Sequence, residues 1–427
     1  MNDRPVPSGD LYRDCIHCGL CLESCPTYKL RADETISPRG RLRLIEAHMD
    51  QHLRVDDDLS GPLESCLLCR SCEAMCPSGV PFGAMMEAAR ERMAREASPP
   101  FARAIWSRLL KWFFLYGVSH PPMLKRAARV LKIVQKMGIL EFLKSSRLVA
   151  EELPWLLAAA KLAPPLSRAF EPCADSRRSC GDAPDEVLLF AGCVTPWALP
   201  DVSRSMDEIV KRLSLTPVYP DQQTCCGALH LHHGDIKKAR ELARRNIDAF
   251  DGPNGLTILV EAAGCGAALK SYGELLKDDP VYAERAARFS SRVKDLSEWL
   301  VSREPPSNTP CGIQVIFQDP CHLRHVQRGH EFPRRLLQEI CGLDIVEVPE
   351  AEICCGSGGI ANLLEYEIGE ALGRRKAEIL KSANPDFVVT SNPGCLLQLR
   401  RHLDSEGVQT RHLAEVLVDY WAGVKAP

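Results

Sequence analysis

The sequence lacks any apolar stretch long enough to cross a membrane. A spanning helix takes about 18 or more apolar residues, and the most apolar run, LLKWFFLYGV, is short and is interrupted by Lys111. The first residues, MNDRPVPSGDLYRD, contain no apolar run either, so no signal peptide is expected. These absences predict a cytoplasmic protein.

An excess of positive charge is also missing. The chain has 53 Lys and Arg against 56 Asp and Glu, a formal net charge of −3. Binding to a nucleic-acid backbone needs a basic surface, so no nucleic-acid partner is expected. No apolar strand is followed by G-x-G-x-x-G, which argues against a dinucleotide site in this chain.

Cysteine, in contrast, is abundant. The 427 residues include 20 cysteines, and 45% of the chain is apolar, which is enough for about three compact units with cores of their own. In a reducing compartment, so many cysteines indicate metal ligands or redox groups rather than a disulfide framework.

Two runs of four cysteines stand near the start of the chain. Both CIHCGLCLESCP and CLLCRSCEAMCP have the spacing C-x2-C-x2-C-x3-C-P. Bacterial ferredoxins hold two [4Fe-4S] clusters with this spacing, and the fourth cysteine of each run binds the cluster of the other run. The spacing therefore assigns a cluster 1 set, Cys15, Cys18, Cys21 and Cys76, and a cluster 2 set, Cys25, Cys66, Cys69 and Cys72.

Zinc is the alternative for these cysteines, because paired C-x2-C units also suit a tetrahedral zinc ion. Zinc would use four ligands, whereas eight cysteines form two runs closed by Pro26 and Pro77, which favours clusters. His17 lies inside the first run, but the thiol count is complete without it. Between the runs, Pro38 and Gly40 mark the start of a short helix. Its basic residues form either a solvated or a cluster-facing surface: Arg39, Arg41 and Arg43.

The segment from 101 to 170 is strongly basic, with 12 Lys or Arg against three acidic residues. From Leu124 onward it has the periodicity of an amphipathic helix. We considered two interpretations, a connector that docks onto the rest of the protein and a helix that lies on an anionic membrane surface. The predicted apolar face contains Leu124, Ala127, Leu131 and Val134, and the basic face contains Lys125, Arg129, Lys132 and Lys136.

The rest of the chain repeats itself. Each copy has an apolar run ending in cysteine, then a Cys-Cys-Gly (CCG) turn, then a second apolar run ending in cysteine, and matching cysteines stand 128 to 130 positions apart. Such regular spacing indicates duplication. We define the first CCG set as Cys193, Cys225, Cys226 and Cys265, and the second CCG set as Cys321, Cys354, Cys355 and Cys395.

The apolar runs are continuous and alternate with helical segments, which predicts parallel sheets covered on both faces. Because sites form at the carboxyl ends of parallel strands, the four cysteines of each CCG set should converge. They would hold further iron-sulfur clusters, act as redox thiols, or simply be small buried residues. Gly227 and Gly356 would let the backbone turn sharply beside the sulfurs.

Several histidines and cysteines outside these patterns have alternative roles. Five histidines near the CCG cysteines either carry protons coupled to electron transfer or only cap and pack: His230, His232, His233, His322 and His325. Cys311 and Cys341 have no repeat counterpart and are expected to be ordinary buried residues, while Cys173 and Cys180 are unassigned.

The fold class predicted is α/β with an α-helical N-terminal part. Residues 1–100 form a ferredoxin-like domain with two [4Fe-4S] clusters, and 101–182 form a basic helical connector and linker. Residues 183–305 and 306–427 form the two duplicated cysteine-rich domains with parallel sheets.

The motifs CIHCGLCLESCPTY, SPRGR, CLLCRSCEAMCPSGV, DPCHLRHVQR and CCGSGG resemble those of the iron-sulfur subunit of glycolate oxidase, over essentially the whole chain. The architecture is also similar to that of iron-sulfur subunits of lactate oxidases, anaerobic glycerol-3-phosphate dehydrogenase and heterodisulfide reductase. Heterodisulfide reductase has one more cysteine three residues after the last of each set, where this chain has Ala268 and Gln398.

The resemblance implies an electron-transfer subunit that is not active alone. A flavin on partner subunits would oxidise glycolate to glyoxylate, and this chain would pass the electrons to a quinone or another membrane acceptor. It would then be cytoplasmic, with peripheral attachment to the inner face of the cytoplasmic membrane as an alternative. A thiol-disulfide reductase, with chemistry in the CCG domains, is the alternative from a different class.

Overall fold

The computed structural model describes most of the chain, and Cys180 lies outside the described residues. The described residues are 11–96, 115–117, 120–146, 149, 151, 153–173, 176–178, 183, 185–252, 255–303 and 309–421.

The N-terminal part is helical, as predicted. Ser37 caps the helix that Pro38 begins, since its hydroxyl accepts a hydrogen bond from the Gly40 amide at 3.0 Å. The hydrophobic core of this N-terminal part includes Leu42, Ile45 and Met86. The helices are Pro26–Arg31, Pro38–Met49, Asp57–Glu64, Ser71–Ala74 and Phe82–Glu96, with 3₁₀ turns at Leu11–Asp14 and Glu34–Ile36.

The basic segment contains three described helices, Pro121–Lys136, Ile139–Ser145 and Pro154–Leu162. The last of them buries Leu157 and Ala160 and contacts helices of the second repeat. This part of the segment therefore docks onto the protein, in line with the connector interpretation.

The first repeat is built on a parallel sheet of five strands. The strands are β1 Arg177–Arg178, β2 Glu186–Phe190, β3 Thr216–Pro220, β4 Ile258–Val260 and β5 Val293–Asp295. The strand order is β1-β3-β2-β4-β5, and every pairing is parallel. The edge strand β1 comes from the segment predicted as linker. The helices are Thr195–Ala198, Pro200–Arg212, Ala228–His232, Ile236–Ala249, Ala263–Lys270, Tyr272–Leu275, Ala283–Arg292 and Leu296–Val301.

The second repeat is built on a parallel sheet of four strands, which are β6 Gln314–Phe317, β7 Asp344–Ile345, β8 Phe387–Thr390 and β9 Gln409–His412. Their order, β7-β6-β8-β9, matches β3-β2-β4-β5 and confirms the duplication. The helices are Glu331–Arg335, Ala361–Leu364, Tyr366–Ser382, Pro393–Leu403 and Leu413–Trp421, with π-helical turns at His322–Val326 and Leu336–Ile340.

The two repeats share one hydrophobic core. Alternate residues of a strand face opposite sides of its sheet, and on β2 Val187 and Leu189 enter the same core as Val315 and Phe317 of β6. On the opposite face, Phe190 belongs to a core made only by the first repeat. The repeats are thus fused back to back, which fixes the position of one CCG set relative to the other.

Candidate iron-sulfur and thiol sites

The cluster 2 set comes together in the interior of the N-terminal part. All four cysteines are buried. Burial raises the pKa of Cys72, and the charges of Cys69, Cys66 and Cys25 raise it further, so the fourth cysteine of the first run lies with three of the second. The spacing predicts the same four cysteines as ligands of one cluster, and their role as ligands stays a prediction.

Local backbone geometry explains how these cysteines converge. Leu68 and Arg70 adopt left-handed conformations, with φ of 51° and 59°, so the chain turns sharply between cysteines. The Leu68 amide lies 3.4 Å from the sulfur of Cys66, as a donor. Cys25 occupies the N-cap position of the helix Pro26–Arg31. The helix begins directly after it because Pro26 suits the first helical position.

Two arginines lie beside the cluster 2 set, Arg41, which is buried, and Arg90, which is half-buried. Arg41 is 1% exposed, and its Nη1 lies 3.9 Å from the sulfur of Cys25. Arg90 donates to the backbone carbonyls of Leu63, Glu64 and Cys66. Within the described part of the chain, neither guanidinium has a carboxylate in salt-bridge contact.

A buried positive charge without a carboxylate needs another source of negative charge. Four thiolates around a [4Fe-4S] cluster supply it, because the thiolate-ligated cluster is anionic. The donor set and its charged surroundings therefore fit such a cluster. Of the three arginines on this helix, Arg41 is the cluster-facing one, while Arg39 and Arg43 pair with glutamates nearer the surface.

The cluster 1 set lies at the edge of the same domain. Cys15, Cys21 and Cys76 are half-buried and pack against the N-terminal core, while Cys18 is exposed. Burial raises the pKa of Cys21 to about 11, and the charges of Cys15 and Cys25 add to it. This set is thus nearer to solvent than the cluster 2 set.

The first CCG set forms a chain of neighbouring thiols. The sulfur of Cys226 lies 3.2 Å from that of Cys265, and Cys225 hydrogen-bonds with both Cys193 and Cys226. The hydrogen bond with Cys193 lowers the pKa of Cys225, whereas the same hydrogen bond, together with burial, raises the pKa of Cys193. The structure therefore brings together all four cysteines from distant parts of the sequence.

The second CCG set repeats this chain of thiols. Cys354 hydrogen-bonds with Cys321 and Cys355, and Cys355 hydrogen-bonds with Cys395. The side chains of Cys354, Cys355 and Cys395 are buried. Four thiols on one path fit either a cluster or a redox thiol pair.

Buried polar residues that the sequence did not single out hold the CCG turns. Asn246 donates to the carbonyl of Cys225 at 3.0 Å, and the hydroxyl of Tyr272 donates to the carbonyl of Cys226 at 2.9 Å. In the second repeat, Lys376 donates to the carbonyls of Glu350 and Ala351. The sequence pattern could have indicated two of these residues, because Asn246 and Lys376 are polar residues on the apolar faces of amphipathic helices.

The CCG glycines adopt the backbone conformation expected of them. Gly227 and Gly356 have φ of 82° and 86°, which residues with a Cβ rarely adopt. A Cβ on Gly356 would also lie 2.9 Å from the carbonyl oxygen of Gly369 and 2.8 Å from the Cβ of Leu372. The turn is therefore packed directly against the helix Tyr366–Ser382.

We expect Gly356→Ala to destabilise the protein by about 3 kcal/mol, because it combines left-handed strain with overpacking. The matched control is Gly407→Ala, since Gly407 has φ of 84° and open space around its Cα. It should cost only about 1 kcal/mol. Thermal unfolding of both variants measures the difference, and equal losses would contradict close packing at the CCG turn.

The cluster 2 set contacts the second CCG set directly. Cys69 and Cys354 belong to one buried cluster with Leu67 and Leu372, and Cys321 packs against it. The charge of Cys321 raises the pKa of Cys69, after the larger effect of burial. Two cysteine sets that are far apart in sequence therefore share one buried contact.

The two CCG sets are also joined by hydrogen bonds between the segments that carry their last cysteines. The Ala263 amide donates to the carbonyl of Ser391 at 3.2 Å, and the Gly264 amide donates to Oδ1 of Asn392 at 3.1 Å. Nδ2 of Asn392 lies 3.5 Å from the sulfur of Cys395. One amide side chain thus links both sets.

The histidines occupy the junction between domains. The rings of His232 and His322 stack with centroids 5.2 Å apart, and Nδ1 of His232 lies 3.3 Å from Glu87 of the N-terminal part. His230 is buried beside Asp235. Nε2 of His325 lies 3.3 Å from the backbone carbonyl oxygen of Glu352. His233 bonds the carbonyl of Leu229. Packing and capping thus account for all five positions, and a proton-carrying role stays a prediction.

The remaining cysteines divide between surface and core. Cys341 is buried, as expected, but Cys311 is exposed, so the expectation that it is buried was wrong. Its sulfur donates to the carbonyl of Gly342 at the surface end of the second sheet. Cys173 is exposed and bonds the hydroxyl of Ser176.

No helix within the described residues is both long enough and apolar enough to cross a membrane.

The fold and its cysteine sets define an iron-sulfur protein with a ferredoxin-type domain and two cysteine-rich domains. Family comparison agrees: residues 12–80 match the 4Fe-4S dicluster domain, and residues 187–270 and 315–400 match the cysteine-rich domain CCG. The predictions of the fold class and of [4Fe-4S] clusters are confirmed.

The curated relatives are similar along most of their length. The chain is 34% identical over 420 residues to the probable glycolate oxidase iron-sulfur subunit of Bacillus subtilis, covering 95% of this chain and 93% of the relative. It is 31% identical over 423 residues to the glycolate oxidase iron-sulfur subunit of Escherichia coli, covering 98% and 96%. It is 28% identical over 415 residues to one of the subunits of the fumarate reductase (CoM/CoB) of Methanothermobacter marburgensis, covering 95% and 71%. The chain belongs to the glycolate oxidase iron-sulfur subunit family, which confirms the resemblance inferred from its motifs.

Proposed function

We propose that this chain transfers electrons within a complex that oxidises glycolate to glyoxylate, between a flavin on a partner subunit and a quinone or another membrane acceptor. Membership of the family supports an iron-sulfur subunit of an oxidoreductase that oxidises hydroxy acids. The names of the relatives favour glycolate over lactate and glycerol 3-phosphate as the substrate.

The observation that carries this proposal is the buried contact between Cys69 and the second CCG set. The proposed ligands of cluster 1 lie near solvent, those of cluster 2 lie in the interior, and the second CCG set adjoins cluster 2. Redox groups at these positions would form a continuous path from the surface to the CCG domains. Such a path suits a relay better than it suits a single catalytic centre.

A flavin has to stand between the hydroxy acid and this chain. The hydroxy acid loses two electrons as a hydride, whereas a [4Fe-4S] cluster accepts one electron at a time, and a flavin is able to do both. The sequence of this chain has no dinucleotide fingerprint. We therefore place the flavin, and with it the substrate pocket, on partner subunits.

The test is anaerobic purification of the complex formed with co-expressed flavin subunits. Iron and sulfide analysis should give the content of at least two [4Fe-4S] clusters, and adding glycolate should produce EPR signals of reduced clusters. Zinc in place of iron would contradict the proposed electron-transfer role. Reduction of the clusters by lactate or glycerol 3-phosphate but not by glycolate would support electron transfer and show that glycolate is not the substrate.

A thiol-disulfide reductase is a second candidate, because Cys225 is a hydrogen-bonded thiol with a lowered pKa. Two thiols of one set would lose two electrons and two protons and form a disulfide, while the substrate disulfide becomes two thiols. The purified chain alone, supplied with reduced methyl viologen, should then reduce a disulfide, and Cys226→Ser should abolish this. No disulfide reduction by the intact chain would exclude this candidate.

A further inference from the structure

One side of the helix Pro121–Lys136 carries an exposed apolar stripe between positive charges. Val130, Ile133 and Met137 are 60%, 57% and 68% exposed, and they follow the spacing of a single helix face. The basic residues exposed on the same face are Arg126, Arg129 and Lys136. We call these six residues the basic-apolar face. Of the residues predicted for the basic face, Arg129 and Lys136 are exposed, whereas Lys125 and Lys132 are half-buried.

Lys125 and Gln135, which lie outside the basic-apolar face, hold this helix to the protein. Lys125 pairs with Glu171 at 2.8 Å and lies 5.9 Å from the ring of Trp197. Gln135 donates to the carbonyl of Pro164 at 2.7 Å and accepts from the Leu166 amide at 3.1 Å. The helix is therefore fixed in a defined rotation, and the basic-apolar face is the side turned to solvent.

The exposed apolar surface continues into the next helix, Ile139–Ser145. Phe142 is 70% exposed and Ile139 is 37% exposed. Of the eleven large apolar side chains that are exposed within the described residues, five lie between Val130 and Phe142. Isolated exposed apolar residues need no explanation, but a concentration of them indicates an interaction surface.

We propose that the basic-apolar face, together with Phe142, binds the surface of an anionic lipid bilayer. Helices that lie flat on anionic membranes typically have apolar side chains flanked by Lys and Arg. The positive charge of the face favours a bilayer as its partner. Anionic headgroups complement the cations around the apolar stripe, and the acyl region accepts the apolar side chains. A neutral protein partner would leave the cations without counter-charges.

This inference rests on the proposed function, in which electrons leave for an acceptor in a membrane. The binding would be peripheral, since the face presents about three turns of helix to the bilayer interface. It would hold the complex at the membrane, close to an acceptor dissolved in the bilayer.

The test is sedimentation of the anaerobically purified complex with vesicles of phosphatidylglycerol and phosphatidylcholine, compared with vesicles of phosphatidylcholine alone. The intact protein should bind only the anionic vesicles, less tightly as salt increases. Replacing Arg126, Arg129 and Lys136 together by Gln should weaken binding on the order of 100-fold, at about tenfold per 1.4 kcal/mol and about 1 kcal/mol per charge. The variant I133E should weaken it as well, through the apolar stripe.

The control replaces three exposed cations elsewhere, Arg245, Lys277 and Arg288, by Gln, and it should bind as the intact protein does. Equal binding by the control and by the face variant would overturn the proposal, and so would no binding of the intact protein to anionic vesicles. Glycolate-dependent reduction of a soluble dye should be unchanged in the face variants. If the intact protein failed to bind anionic vesicles but still reduced the dye with glycolate, only this inference would fail, whereas no glycolate-dependent dye reduction by the intact complex would contradict the proposed function.

Discussion

The variant Cys69→Ala is expected to lose one of the two [4Fe-4S] clusters and more than about 100-fold of glycolate-dependent acceptor reduction, because it removes a proposed ligand. Within the cluster 2 set, Cys69 is the member buried against the second CCG set. Its removal would therefore interrupt the proposed path at the contact between two redox groups. EPR of the dithionite-reduced protein counts the clusters, and dye-linked and quinone-linked assays measure the activity.

The matched control is Cys311→Ala, which removes an exposed thiol outside all four cysteine sets. It should retain both EPR signals and the full activity. If Cys69→Ala kept both clusters and normal turnover, the assignment of the cluster 2 set would be wrong. If it lost a cluster but kept turnover, the path would bypass that cluster.

The variant Arg41→Gln is expected to lower the reduction potential of the cluster held by the cluster 2 set by on the order of 100 mV. A positive charge stabilises the reduced cluster, which carries one more negative charge than the oxidised cluster. Two unit charges about 7 Å apart at an effective dielectric constant of about 20 interact by roughly 2.4 kcal/mol, and a one-electron shift of about 59 mV equals about 1.4 kcal/mol. Redox titration followed by EPR gives the potential directly.

Two further variants make this test specific to charge at that position. Arg41→Lys keeps the charge and should shift the potential much less, although it breaks the bonds of Arg41 to Ser65 and Pro62. Arg43→Gln removes a charge from the same helix at the surface, where solvent screens it. An unchanged potential in an Arg41→Gln protein that retains the cluster would contradict an electrostatic role for Arg41.

The spacing of the cysteines was sufficient to predict the clusters because metal ligation constrains sequence directly. Three ligands two residues apart and a fourth before proline are a local pattern, and the chain between the two runs hardly matters. The duplication was visible for a similar reason, since apolar strands and cysteines recur at nearly constant intervals. The matching strand orders of the two sheets confirm it.

The residues that support the sites were harder to predict. Arg41 and Arg39 stand two positions apart on one helix and have opposite environments, because the rotation of the helix against the domain core decides which of them is buried. Asn246 and Lys376 look like ordinary polar residues until the helices that carry them are packed against the CCG turns. Composition and periodicity do not specify such packing.

By itself, the sequence determined the kinds of chemistry that this protein performs: eight cysteines in ferredoxin spacing, two duplicated CCG sets and a basic amphipathic helix. These are properties of neighbouring residues and of repeated intervals. Only the tertiary structure decided the contact of Cys69 with Cys354, the link of both CCG sets through Asn392, and the side of the basic helix that meets solvent. The physical reason is that such contacts join residues that are distant in the sequence, and their positions depend on how the separate parts of the chain pack against one another.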